Sequence, residues 1–257
     1  MTLLKVNALS KSFGGVTAIA DLDFEVPEGH IYSVIGPNGA GKTTLFNMLS
    51  GIYMPDEGSI LFRDSEIVGR LPHKVAELGI SRTFQNLQMF FNMSVLDNVK
   101  VGCHLRTRSR LWSTALRLPG TRREERQAEL WAREALHFCD LERYLQRDAD
   151  ALPYGVLKRL EIARALAASP KLLLMDEPAA GLNDTETKQM RKLIRRISDA
   201  GITVLLVEHN MGLVMEVSDR ILVIDYGSRL AEGSPSEVQN NPRVIEAYLG
   251  GEVEYAV

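Results

Sequence analysis

The stretch Gly36-Pro37-Asn38-Gly39-Ala40-Gly41-Lys42-Thr43 fits the pattern G-x-x-x-x-G-K-[ST]. Each residue type in it has a chemical use. Glycines let backbone N–H groups turn inward around an anion. A helix that begins at the end of the loop adds the positive end of its dipole. Lys42 places a fixed charge on β and γ phosphates, and Thr43 offers a hydroxyl to Mg²⁺. Gly36, Asn38, Gly39, Ala40, Gly41, Lys42 and Thr43, with Thr44 beside them, are therefore the candidate phosphate-binding residues. The bland alternative is a glycine-rich turn with an exposed lysine. The context opposes it: the apolar run Ile31–Ile35 precedes the loop, and helical periodicity follows from about Lys42 to Ser50.

A second cluster is acidic. Leu172-Leu173-Leu174-Met175-Asp176-Glu177 reads as a buried strand ending in two carboxylates. Strand alternation would send Asp176 and Glu177 to opposite sides. One acid can then serve a metal ion and the other a water molecule. Asp176 is the candidate Mg²⁺ partner, and Glu177 the candidate general base that polarises an attacking water. Alone, the triplet Asp176-Glu177-Pro178 would be only a polar strand end. Beside a phosphate loop it gains a use.

These residues need a frame. Residues 2–10 alternate as an edge strand would, and Phe24–Val26 and Ile31–Ile35 read as strands with turn markers Pro27 and Gly29 between them. Ser59–Phe62 and Ile80–Phe84 are further strands, and Pro72–Leu78 is a short helix with Pro at its first turn. From about Ser94 to Asp150 strand alternation disappears. Ser94 with Asp97 marks a helix start, and Thr121 to Cys139 is a long amphipathic helix. The α/β pattern then returns: helix Val156–Ala168, strand Leu172–Met175, helix Thr185–Ser198, and strands Thr203–Val207 and Ile221–Ile224. Ser234-Pro235-Ser236-Glu237 is a capping-box start for a last pair of short helices. Continuous apolar strands between helices predict a mostly parallel, doubly covered sheet.

The 257 residues carry 45% hydrophobic and 25% charged residues and a formal charge of −3, ordinary for a globular chain with a sizeable core. The balance gives no support for nucleic acid as a partner. Cys103 and Cys139 lie far apart without metal-ligand spacing, which predicts a reduced, cytosolic protein. No apolar run reaches membrane-spanning length, and the N-terminus lacks a signal-peptide pattern, so membrane association is expected through a partner.

Motif by motif and in order, the chain resembles the ATPase subunits of ABC transporters over essentially its whole length. The resemblance implies an α/β P-loop NTPase (RecA-like) core with a mostly parallel sheet, an N-terminal antiparallel β subdomain and an inserted α-helical subdomain. Catalytic core would be about 1–92 and 153–257, and the insertion about 93–152. It also implies roles. Phe13, in Ser-Phe-Gly-Gly, looks like the aromatic residue that stacks on adenine. Gln85, in Arg-Thr-Phe-Gln-Asn, looks like the glutamine that senses Mg²⁺, water and the membrane subunit. Ala180-Gly181-Leu182-Asn183 resembles the loop that crosses the dimer interface, and His209, in Val-Glu-His-Asn, the histidine that contacts the γ-phosphate. With Lys42 and Glu177 these form the expected catalytic set. The cofactors implied are ATP and Mg²⁺, with Thr43, Gln85 and Asp176 around the metal.

One motif departs from the family pattern Leu-Ser-Gly-Gly-Gln. Here the loop is Leu152-Pro153-Tyr154-Gly155-Val156, followed by a well-matched helix. The serine hydroxyl expected to reach the partner's γ-phosphate is absent, and Pro153 has no N–H. The backbone N–H groups of Tyr154, Gly155 and Val156 remain as candidate anion ligands. The expected consequence is asymmetry: a complete site on this chain and a weaker one on the facing subunit.

The segments Gly79–Asn86, Asp176–Asn183 and Ala247-Tyr248-Leu249-Gly250 are similar to the branched-chain amino acid importer branch (the Liv-type subunits), with lipopolysaccharide-export ATPases as runner-up. The resemblance implies a second ATP-binding subunit, identical or different, and two transmembrane permeases. It also implies a periplasmic binding protein acting indirectly, and a peripheral place on the cytoplasmic face of the inner membrane. Competing readings are a small-molecule kinase, which would not need His209, and a regulatory subunit that binds ATP without hydrolysing it.

Overall fold

The computed structural model describes residues 1–107 and 119–249. Two sheets carry the fold. The first has the order β2-β1-β4-β5, all antiparallel, from β1 (Thr2–Phe13), β2 (Val16–Pro27), β4 (Glu57–Phe62) and β5 (Ser65–Glu66). β1 and β2 form a hairpin closed by Gly14 and Gly15, whose φ of 52° and 88° give the two-residue turn that suits the strand twist. β1 was expected at an edge; it lies between β2 and β4. Alternation reports one buried face, here Leu4 and Val6, but not whether both backbone edges are paired.

The second sheet has the order β10-β9-β3-β8-β7-β6. Its strands are β3 (Ile31–Ile35), β6 (Ile80–Arg82), β7 (Leu172–Asp176), β8 (Thr203–Val207), β9 (Arg220–Asp225) and β10 (Ser228–Gly233). β9, β3, β8, β7 and β6 run parallel, and only β10 is antiparallel to its neighbour. β3, β7 and β8 are buried at every position, as strands covered on both faces must be. Leu172 and Leu174 pack with the antiparallel sheet and α1 (Lys42–Leu49). Leu173 and Met175 face the other way, into a cluster with the remaining large helices.

Those helices are α3 (Val95–Gly102), α4 (Pro119–Phe138), α5 (Tyr154–Ala167) and α6 (Asp184–Asp199); α2 is Pro72–Glu77. Val99, Cys103, Ala132 and Leu136 close α3 and α4 onto Leu160 of α5. Both cysteines are buried and free. α7 (Met211–Val217), α8 (Pro235–Gln239) and α9 (Pro242–Leu249) cover the β9 side through Val214, Val238 and Val244. The predicted helix starts at Ser94 and Ser234 are present, each serine accepting a backbone N–H three residues on. Asn183 adds a capping box with Glu186. The strand expected over Ile80–Phe84 stops at Arg82, because the Phe84 N–H leaves the ladder and donates to Glu161 of α5 at 3.0 Å. The helix expected from Val156 begins two residues earlier, at Tyr154. Gly250, the last residue of the Ala247–Gly250 segment, lies outside the described residues. Among the described residues no helix is long and apolar enough to cross a membrane.

Candidate functional site

The parallel sheet brings the candidate residues together. Gly36 follows β3, His209 follows β8, Glu177 follows β7 and Gln85 follows β6, and these four strands are consecutive neighbours. All four segments leave the carboxyl ends of their strands, where ligands of open α/β sheets bind.

The loop Gly36–Lys42 is shaped by close backbone approach. A side chain on Gly36 would stand 2.0 Å from the Ile224 carbonyl oxygen, and one on Gly41 2.3 Å from that of Ala18. Gly41 also has φ 101°, a conformation that favours glycine. It precedes α1 without any side-chain cap, so the first N–H groups of that helix are open to an anion. Asn38, Gly39 and Thr43 are exposed, Thr44 is half-buried, and Ala40 is buried. The buried Lys42 ammonium donates to the carbonyl oxygens of Gly36 at 2.7 Å and Pro37 at 2.9 Å. Burial lowers its pKa, and the charges of Glu177 and Asp176 oppose that shift. A phosphate entering the loop thus meets a cation held in place by the loop's own carbonyls.

Glu177 has φ 49°, and its N–H donates to Val207 O at 2.9 Å. This left-handed turn, rather than strand alternation, parts it from Asp176, because β7 ends at Asp176. Each Glu177 carboxylate oxygen has one partner. Gln85 Nε2 donates to Oε2 at 3.0 Å, and His209 Nε2 lies 3.0 Å from Oε1. In its Nε2-protonated form His209 donates to that oxygen. The acid is therefore aimed by two side chains from the neighbouring strands, and Lys42 feels its charge. A carboxylate held this way can accept a proton from a water beside a loop-bound phosphate.

Asp176 was expected to face a metal ion. Its Oδ2 is paired with Arg82 Nη2 at 2.9 Å, with both side chains almost wholly buried. Among the described residues no three His, Cys, Asp or Glu side chains gather as a metal cluster. A cation at Asp176 and Thr43 must then bring most of its oxygens with it, which fits Mg²⁺ carried on phosphates.

Other expected residues lie around this centre. Phe13, at the end of β1, is 44% exposed. Its ring meets Tyr53 edge-on at 5.3 Å, and Lys11 Nζ lies 5.4 Å from its centroid. Tyr154 and Gly155 open α5. Tyr154 faces the loop after the acids, since a side chain on Gly181 would meet its ring at 3.1 Å. The third N–H once expected to be free, that of Val156, donates to Pro153 O at 3.0 Å.

Two buried acids, not foreseen in the sequence, hold the loops that hold Glu177. Glu208 accepts the N–H groups of Ala179 at 2.6 Å, His209 at 3.1 Å and Asn210 at 3.3 Å. Burial raises its carboxyl pKa; the three N–H groups pull it down, and the Glu177 charge adds to the rise. Glu161 likewise accepts from Phe84 N, while Lys158 donates to Gln85 O at 3.0 Å. The only signals were an acid immediately before His209 and two charged residues on an otherwise buried helix face. Glu208→Gln puts an NH₂ group against backbone donors. It is expected to lower kcat about tenfold while KM for ATP stays within about twofold. Steady-state ATPase assays of the assembled complex would check this, and an unchanged kcat would remove Glu208 from the positioning scheme.

The ABC transporter family profile matches residues 19–180, and a profile for branched-chain amino acid ATP-binding cassette transporters matches residues 228–254. The chain belongs to the ABC transporter family. It is 43% identical over 249 residues to the high-affinity branched-chain amino acid transport ATP-binding protein BraF of Pseudomonas aeruginosa, covering 96% of this chain and 98% of the relative. Identity to the LivG protein of Escherichia coli (strain K12), of the same description, is 44% with the same coverage. A lipopolysaccharide export ATP-binding protein, LptB of Acidithiobacillus ferridurans, is 34% identical over 98% of both chains. Among solved structures, an ATP-binding cassette of an ABC transporter in its ADP conformation superposes with a TM-score of 0.85 at 32% identity, covering 97% of this chain and 99% of that one. The fold is thus the α/β P-loop NTPase fold with an antiparallel N-terminal sheet. As a member of this family the chain is a nucleotide-binding ATPase subunit.

Proposed function

We propose that this chain is the ATP-hydrolysing subunit of an importer for branched-chain amino acids or related small amides. The observation that carries the hydrolytic part is the placing of Glu177 between Gln85 and His209, beside the loop that carries Lys42. The amino acid part rests on the 43% and 44% identities to relatives with that description, against 34% for the lipopolysaccharide-export runner-up.

In this reading Phe13 stacks on adenine, and residues 36–44 cradle the phosphates, with Lys42 on the β and γ groups. Thr43, Asp176 and Gln85 would hold Mg²⁺, which would neutralise charge on the phosphate oxygens. Glu177 takes a proton from the attacking water, and Gln85 and His209 fix its direction. His209 also reaches the γ-phosphate, where charge grows as the bond to the leaving phosphate breaks. A second ATP-binding subunit supplies its signature loop to this site, while Tyr154 and Gly155 serve the partner's.

Two permeases complete the assembly and keep the chain on the cytoplasmic face of the membrane, with a periplasmic binding protein acting through them. Residues 93–152 act as a helical subdomain. Between it and the core runs a groove lined by Ile52, Val75, Phe84, Leu105 and Arg164, among others, with Ile52 and Leu105 exposed. An apolar cytoplasmic helix of a permease fits that lining and would reach Gln85 through Phe84. The test is ATP turnover of the purified complex in lipid nanodiscs, titrated with binding protein loaded with leucine, isoleucine or valine. A several-fold rise with loaded, but not empty, binding protein is expected. Stimulation by lipopolysaccharide alone would transfer the assignment to the exporters.

A further inference from the structure

Arg82 is the most heavily engaged side chain near the site, and the proposed hydrolytic cycle gives it no task. Its Nη2 pairs with Asp176 at 2.9 Å, with only 7% and 5% of the two side chains exposed. Its Nη1 donates to Asn47 Oδ1 at 2.7 Å and Ser50 Oγ at 3.1 Å, at the far end of the helix that opens on Lys42. The guanidinium carbon lies 5.5 Å from the Phe46 ring centre and 5.1 Å from that of Phe84, while Nε is buried without a partner. The backbone is fixed as well, since Arg82 is paired with Leu174 in the β6–β7 ladder. A guanidinium gripped on so many sides cannot leave Asp176 without emptying its slot.

We propose that Arg82 is a built-in competitor for the metal-binding acid, setting how strongly nucleotide binding depends on Mg²⁺. The proposal rests on the reading that Asp176 serves Mg²⁺. Asp176 already has a fixed monovalent partner, so an arriving divalent cation shares its carboxylate with a like charge a few ångströms away. That charge is poorly screened at a buried site. The cation affinity of the loaded site is therefore held below what Asp176 alone would give. Arg82 and Phe84 also line the groove offered to the permease.

The test measures binding rather than turnover. The affinity of the full chain for a fluorescent, non-hydrolysable ATP analogue is taken with excess chelator and with 1 mM free Mg²⁺, and the readout is the dissociation constant in chelator divided by that in Mg²⁺. Arg82→Met fills the slot without charge and is expected to increase that ratio about tenfold. Arg82→Lys keeps the charge and should stay within about threefold of the parent. Arg82→Gln serves as a second neutral variant should the methionine form not fold. Asp176→Asn should reduce the ratio about tenfold or more, whichever residue stands at 82. An unchanged or smaller ratio in the neutral variants, with Asp176→Asn effective, overturns the role of Arg82 alone. A ratio insensitive to Asp176→Asn overturns both that role and the metal assignment beneath it.

Discussion

Replacing Pro153 by Ser and Val156 by Gln is expected to raise ATP turnover of the assembled dimer by roughly ten- to a hundredfold at the site this loop completes. A hydrogen bond to a charged group contributes about 1.5–3 kcal/mol, and about 1.4 kcal/mol is a factor of ten. Pro153 is the N-cap of α5 and offers neither a hydroxyl nor an N–H. Its carbonyl also takes up the Val156 N–H, so fewer donors than expected are left at this helix end. Ser is among the best N-cap residues, so Pro153→Ser should start the helix at least as well as Pro does. Val156 is buried in the apolar core of this chain, so Gln there brings an amide into apolar surroundings and adds little to the gain. Pro153→Ser alone should therefore give much of the gain. Turnover and ATP affinity both unchanged, in one preparation with the parent chain, would contradict the asymmetry between the two sites.

Glu177→Gln is expected to cut turnover at this chain's own site by about 10²–10³-fold, within the range for loss of a general base. The amide keeps the size of the acid but cannot take a proton, and its NH₂ group requires Gln85 to flip its amide or His209 to change tautomer. ATP affinity should be unchanged or tighter, because the negative charge facing the phosphates is gone. The distinguishing measurement is a paired one, ATP binding and ATP hydrolysis on the same sample. Normal hydrolysis would mean that Glu177 is not the base.

Legibility in the sequence followed locality. The phosphate loop was readable because its strand, glycines, lysine and helix are contiguous, and every requirement on them is met within Ile31–Leu49. The parallel sheet was readable because doubly buried strands such as Thr203–Val207 are apolar throughout. Long-range pairing was not. The bond from Gln85 to Glu177 spans 92 residues, and only the β6–β7 pairing brings the two together. The Arg82–Asp176 pair spans 94 residues, and nothing near either residue announces the other. The buried acids Glu161 and Glu208 were hidden for a related reason: their partners are backbone N–H groups, which every sequence has. The central place of β1 was missed because a side-chain pattern does not report edge pairing. The left-handed turn at Glu177 was missed because a non-glycine residue gives no sign of a positive φ.

The most direct test of ATP-driven amino acid import through Glu177 is uptake of radiolabelled leucine by proteoliposomes containing the whole complex, with its binding protein outside and Mg²⁺ and ATP inside. Accumulation against the gradient is expected that needs internal ATP, stops with Glu177→Gln, and proceeds in step with released phosphate. Accumulation that persists with Glu177→Gln, or ATP hydrolysis by the loaded complex with no amino acid movement, would contradict it.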